Sequence, residues 1–215
     1  MKARLISTSR LNSIFSVRVL CVSAVVFVML GTLSAANADV FIYTALMDGP
    51  SESPPNASPG TGMARVDYDN VAHTMRVKAS FADLIGTTTM AHIHAPTAAP
   101  LTGTAGVATQ TPFFSGFPIG VTSGSMDTTF DLTLAGSWNP AYVTANGGTT
   151  AGAEAAFATA LSQGRSYYNI HTTFAGGGEI RGFLRLIPEP ATAGLASTVL
   201  ATTLLFARKR TRSAR

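Results

Sequence analysis

From Thr74 to Phe81 every second side chain is apolar: Met75, Val77, Ala79 and Phe81 alternate with Thr74, Arg76, Lys78 and Ser80. A period of two sends the two sets to opposite sides of an extended chain, so one face is buried and the other meets water. A helix would scatter the same apolar residues around its circumference. Asp69-Asn70 supplies a turn before this stretch, and Met63 to Tyr68 forms the other arm of a hairpin.

The same logic extends along the chain. Val40 to Met47 (VFIYTALM) is an apolar, aromatic and β-branched first strand. Asp48 to Gly62 holds four prolines and is expected to be a surface loop. Phe130, Leu132 and Leu134 alternate with Asp131 and Thr133 as a further strand. Thr150 to Gln163 is Ala-rich and is predicted to be helical, with Thr150 as N-cap and Gly164 as the stop. Two closing strands, Arg165 to Thr172 and Glu179 to Ile187, flank Gly176-Gly177-Gly178, with Ile180, Leu184 and Leu186 inward and Glu179, Arg181 and Arg185 outward. The expected fold class is all-β: a Greek-key β-sandwich or barrel-like domain with one short helix, built from seven or eight strands.

The two ends read differently. Lys2, Arg4, Arg10 and Arg18 precede an apolar run from Val19 to Leu33, and Ala36-Asn37-Ala38 follows. That pattern predicts a secretory signal peptide over residues 1–38, cleaved between Ala38 and Asp39 by signal peptidase. At the other end the 17 residues from Ala191 to Ala207 are mostly apolar, and Arg208, Lys209, Arg210, Arg212 and Arg215 follow. At 1.5 Å per residue such a helix reaches about 25 Å, enough for a transmembrane segment in a thin bilayer. The basic cluster would stay on the cytoplasmic side.

Pro188-Glu189-Pro190, the apolar segment and the Arg-rich tail (residues 188–215) together resemble the PEP-CTERM sorting signal of Gram-negative bacteria. The resemblance implies that Pro188, Glu189 and Pro190 are recognised by an exosortase-type transpeptidase. It implies a membrane-tethered intermediate that is then passed to the cell surface or extracellular matrix. Exopolysaccharide or surface proteins are the expected partners there.

Four of the 15 basic residues lie in the N-terminal segment and five in the tail. The domain between, residues 39–187, keeps six basic residues against ten acidic ones. The net charge of +4 therefore belongs to the two ends. A basic face for nucleic acid is excluded with it. The single cysteine, Cys21, falls in the signal segment, which removes disulfides, thiol catalysis and cysteine metal sites from the domain.

The chemistry-bearing residues are histidines. His92 and His94 are two apart and share a strand face, and His171 lies in a later strand. Imidazoles in this pattern can hold Cu or Zn, with Asn169 or Glu179 as an oxygen donor or supporting partner. The alternative is that they bond loop backbone and pack against Tyr167 without metal. No cofactor is assigned with certainty and no catalytic residue is assigned. Glu154 or Glu179 would be the carboxylate if the chain were an enzyme. Glu179 and Arg181, two apart, are expected to pair and fix the closing hairpin. His73 is expected at the surface, and Trp138, Tyr142 and Tyr167 in the core.

ALMDGPSESPP (Ala45 to Pro55), GTGMA (Gly60 to Ala64), Ala91-His92-Ile93-His94 and YYNIHTTFAGGGEIRGFL (Tyr167 to Leu184) occur in an order that resembles the CHRD domain. The resemblance covers residues 41–186 and implies an extracellular, non-enzymatic β-sandwich binding module. Ala95-Pro96-Thr97 departs from the family's usual glycine after His-Ile-His, and the loop through Thr111 carries no charge. A looser similarity links His-x-His on a strand to copper/zinc superoxide dismutase. That enzyme's zinc-loop ligands and disulfide cysteines have no counterparts here, which argues against dismutation.

The signal assignment predicts that N-terminal sequencing of the exported protein begins at Asp39. A chain beginning at Met1 would instead make the segment an uncleaved anchor.

Overall fold

The computed structural model describes residues 40–188. The expected signal segment with its Ala38–Asp39 cleavage point, Glu189 and Pro190, the apolar segment 191–207 and the basic tail lie outside them. Among the described residues no helix is long and apolar enough to cross a membrane.

Eight strands form the framework: β1 (Val40–Asp48), β2 (Thr61–Asp69), β3 (Thr74–Ala82), β4 (Thr88–His94), β5 (Gly124–Asp131), β6 (Tyr167–Thr172), β7 (Ile180–Phe183) and β8 (Arg185–Leu186). They pair antiparallel in the order β4-β6-β7-β1-β2-β3-β5, with β8 on the outer reach of β1. The all-β expectation holds in the form of one sheet curled into a half-barrel. The curl is visible in side chains. The Tyr168 hydroxyl of β6 lies 3.6 Å from the Met126 sulfur of β5, although four strands, β7, β1, β2 and β3, separate them in sheet order. Phe114 sits between them, 5.8 Å from Tyr168 and 5.2 Å from Phe130, ring centre to ring centre.

The period-two reading of β3 is met: Met75, Val77, Ala79 and Phe81 are buried and face Val66, Tyr68, Tyr43 and Met47 in the core. The Asp69 carboxylate closes the β2–β3 turn by accepting from the Val71 and Ala72 N–H groups. The core is completed by the helix α2 (Thr150–Ser162), after a one-turn helix α1 (Pro140–Ala145). Phe157 and Leu161 of α2 are buried, and Phe157 meets Trp138 edge-on at 5.6 Å. Thr149, one residue before the expected Thr150, is the N-cap: its hydroxyl accepts from Gly152 N at 3.0 Å. Gly164 ends the helix with a φ of 65°.

Two expectations are corrected. Leu132 and Leu134 lie beyond β5, which starts earlier at Gly124; Leu132 is buried while Leu134 is exposed. The closing segment splits into β7 and β8, and there Glu179 and Arg181 are buried while Leu186 is exposed. Outward-facing does not mean wet in this part of the sheet, because loops cover it.

The free edge of β4 is covered by the long connection to β5. Ala108 N reaches Ile93 O, Phe114 N reaches Ala91 O and Gly120 N reaches Thr88 O, at 2.9, 3.1 and 2.9 Å. An otherwise open row of backbone groups is thereby satisfied.

Glu179 ties the covering loops to the sheet. Its carboxylate is fully buried and accepts from Ser58 Oγ (2.6 Å), Thr172 Oγ1 (2.5 Å), Ile85 N (2.6 Å) and Gly86 N (3.1 Å). Burial alone would raise its pKa, but the four donors outweigh burial and hold it below the usual carboxylate range. Glu179→Ala strands these donors and is expected to cost about 3–5 kcal/mol, lowering Tm by roughly 10 °C in a thermal melt. Because the folded pKa is depressed, this contribution is present above the unfolded value of 4.5 and disappears as pH falls below it. The Glu179→Ala variant should therefore show a shallower loss of stability on acidification than the wild type.

Candidate metal centre

Strand β6 is buried on both faces. Its inward side chains, Tyr168 and Ile170, join the core. The other face presents Tyr167, Asn169 and His171. Register places His92 and His94 of β4 opposite Asn169 and Tyr167, and Arg181 and Phe183 of β7 on the other side. Asn169 is thus the centre of a buried polar patch, with His92 and Arg181 to either side and His171 and Tyr167 along its own strand.

The three histidines come together as the sequence pattern predicts. One ring nitrogen from each lies within 4.8 Å of the others. His92 Nδ1 is 3.1 Å from Pro112 O, His94 Nδ1 is 2.8 Å from Ala105 O and His171 Nδ1 is 2.9 Å from Gly176 O. A carbonyl can only accept, so each Nδ1 carries the hydrogen and each Nε2 keeps its lone pair. These are the tautomers that second-layer contacts impose on metal-binding imidazoles. His92 Nε2 and His171 Nε2 then face each other at 2.9 Å, and His94 Nε2 is buried with no partner.

Two facing lone pairs repel unless a proton or a cation lies between them. Burial opposes the proton. It drives His92 down to about 3, helped by the charges of His94 and His171, and His94 down to about 4 against the pull of Ala105 O. Burial lowers His171 as well. The set therefore consists of three neutral nitrogen donors in a dry setting, which suits a borderline metal ion. The expected packing against Tyr167 is made by His94, with ring centres 4.7 Å apart and planes 5° apart.

Beyond Tyr167 lies Arg181. Its guanidinium sits 4.8 Å over the Tyr167 ring, donates to Ser51 O and Gly103 O, and is 3.8 Å from Glu52 Oε2. The expected Glu179–Arg181 pair is absent: Glu179 is satisfied by neutral donors and Arg181 pairs with Glu52 instead. Glu52 went unread because it sits in the Pro-rich loop taken as surface, where it is 6% exposed. Burial pushes its carboxyl up to about 7, opposed by Arg181 and the Ser53 N–H.

The other carboxylate considered, Glu154, belongs to a different cluster. It meets His73 Nδ1 at 3.0 Å and accepts from the Tyr68 hydroxyl at 3.0 Å. His73 is a half-exposed partner of a buried acid rather than a free surface residue. Trp138, Tyr142 and Tyr167 are core residues as expected. The aromatic residues that border an open groove, of about 330 Å³, are Phe41, Tyr43 and Tyr68.

Comparison with known proteins gives one match: the model of the CHRD domain aligns with residues 43–184. No curated protein and no solved structure matches the chain.

Glu52 yields a pH prediction of opposite sign to that of Glu179. Its folded pKa lies above the unfolded value of 4.5, so the fold favours the protonated form and loses stability as pH rises through about 7. Glu52→Gln should flatten this slope, gaining on the wild type at pH 8 relative to pH 5. Equal differences in Tm at the two pH values would refute the assignment.

Proposed function

The chain belongs to the CHRD-domain family, and on that premise we propose that it is an exported bacterial surface module whose domain binds one copper or zinc ion through His92, His94 and His171. The observation that carries the metal reading is the convergence of three imidazoles, one ring nitrogen of each within 4.8 Å of the others, with each Nδ1 against a backbone carbonyl. Three protein nitrogens leave a coordination position open, unlike closed four-ligand structural sites. His92, His94 and His171 would hold the ion, and an all-imidazole donor set of this kind suits copper or zinc.

The domain acts by binding and display rather than by turnover. The sequence motifs support its route: signal peptidase acts after Ala38, an exosortase-type enzyme recognises Pro188, Glu189 and Pro190, and the apolar C-terminal segment tethers the intermediate in the membrane. At the surface or in the matrix it meets exopolysaccharide or other surface proteins. The ion, when bound, ties β4 to β6 and supplies a Lewis-acidic centre beneath the loops.

Chelator-stripped protein titrated with Cu(II) and Zn(II) by calorimetry is expected to bind one equivalent with sub-micromolar affinity, weakened about 100-fold or more by His92→Ala. A folded wild type that takes up neither ion would return the cluster to a purely structural role.

A further inference from the structure

Five buried side-chain polar atoms among the described residues have no hydrogen-bond partner, and three of them belong to this one patch: His94 Nε2, Asn169 Oδ1 and Glu52 Oε1. All three are acceptors. Buried acceptors without partners are costly, and several in one place call for a donor or a cation. One metal ion answers His94 Nε2 but not the other two.

Asn169 and Glu52 meet at Gly178. A Cβ on that residue would lie 2.6 Å from Asn169 Oδ1, Asn169 Nδ2 and Glu52 Oε1 alike. Gly178 also has a φ of 131°, which side chains rarely adopt. The glycine thus keeps open a small space walled by the carboxamide and the carboxylate. Asn169 is 2% exposed and directly opposite His92 in register, while the space lies on its β7 side. Register therefore sets the carboxamide next to His92, with Arg181 and its partner Glu52 on the other side of Asn169.

We infer that Asn169 and Glu52 form the seat of a water at the fourth position of the trihistidine metal, its two O–H groups donated to Asn169 Oδ1 and Glu52 Oε1, and that an anion competing for the metal would displace it. This rests on the metal reading above. Asn169 is a positioning residue here; it does not bind the ion itself. One bound water with two O–H donors satisfies both remaining acceptors. The Arg181 guanidinium, already bonded to Ser51 O and Gly103 O, holds Glu52 in place from behind.

The test uses the purified full chain in detergent, loaded with one equivalent of Cu(II), with azide as the probe. Pulsed EPR in H2O and D2O should show an exchangeable proton coupled to wild-type Cu(II), lost on addition of azide. Asn169→Asp should keep copper uptake within about threefold yet weaken azide binding at least about tenfold, since it sets a negative charge beside the anion. Glu52→Gln should shift azide affinity the other way. Wild-type Cu(II) with no exchangeable proton and no response to azide overturns the inference while leaving metal binding intact. So does an Asn169→Asp protein with unchanged azide affinity. Failure of the wild type to bind either copper or zinc overturns both readings. Should Asn169→Asp fail to fold, the wild-type spectra and Glu52→Gln decide the matter.

Discussion

The architecture depends on how a buried carboxylate is solvated without a counter-ion. Among the described residues no cation pairs with Glu179; four neutral donors replace its water. Those donors come from the loop after β1, the turn between β3 and β4, and the end of β6. Removing the charge from water would cost several kcal/mol if it were left unpaired. Each donor is held where it is by that cost, and the three segments are fixed against one another. Asn56, in the same loop as Ser58, adds a further tie by donating to the Glu179 carbonyl oxygen at 3.0 Å.

The consequence is a sheet with two interiors. One face of the half-barrel buries an apolar core under α2. The opposite face of β4, β6 and β7 buries a polar patch under loops that carry few side-chain contacts of their own. Their backbone carbonyls do the work there: Pro112, Ala105 and Gly176 orient the three imidazoles, and Ser51 and Gly103 hold Arg181. Carbonyls fix direction without adding charge, so the patch stays rich in lone pairs and poor in protons.

Much of the apolar interior was legible because its signal is periodic. β1, β2, β3 and the Ala-rich helix stand close to where alternation and capping residues place them. The start of β5 was missed because Gly124-Ser125-Met126-Asp127 has a single apolar residue. Glu179 and Arg181 were misplaced for a related reason: alternation states which face a residue is on, and only the loops decide whether that face is wet. The histidines were legible, since His-x-His on a strand needs no long-range knowledge. Glu52 and Gly178 were not, because nothing in a Pro-rich loop or a glycine run says that they will meet Asn169 of β6. The His73–Glu154 contact spans 81 positions and leaves no local trace.

The pairing of β8 with β1 gives the domain two poles. Leu186 lies beside Tyr43, and Ile187 N donates to Ile42 O, so the chain enters and leaves at one pole. Arg181, and through it Asn169 and His92, lines up with Asp48 at the far end of β1. Eight residues of extended chain separate Val40 from Asp48, a span of about 26 Å. The histidine patch lies at the other pole, roofed by the loops that supply its carbonyls.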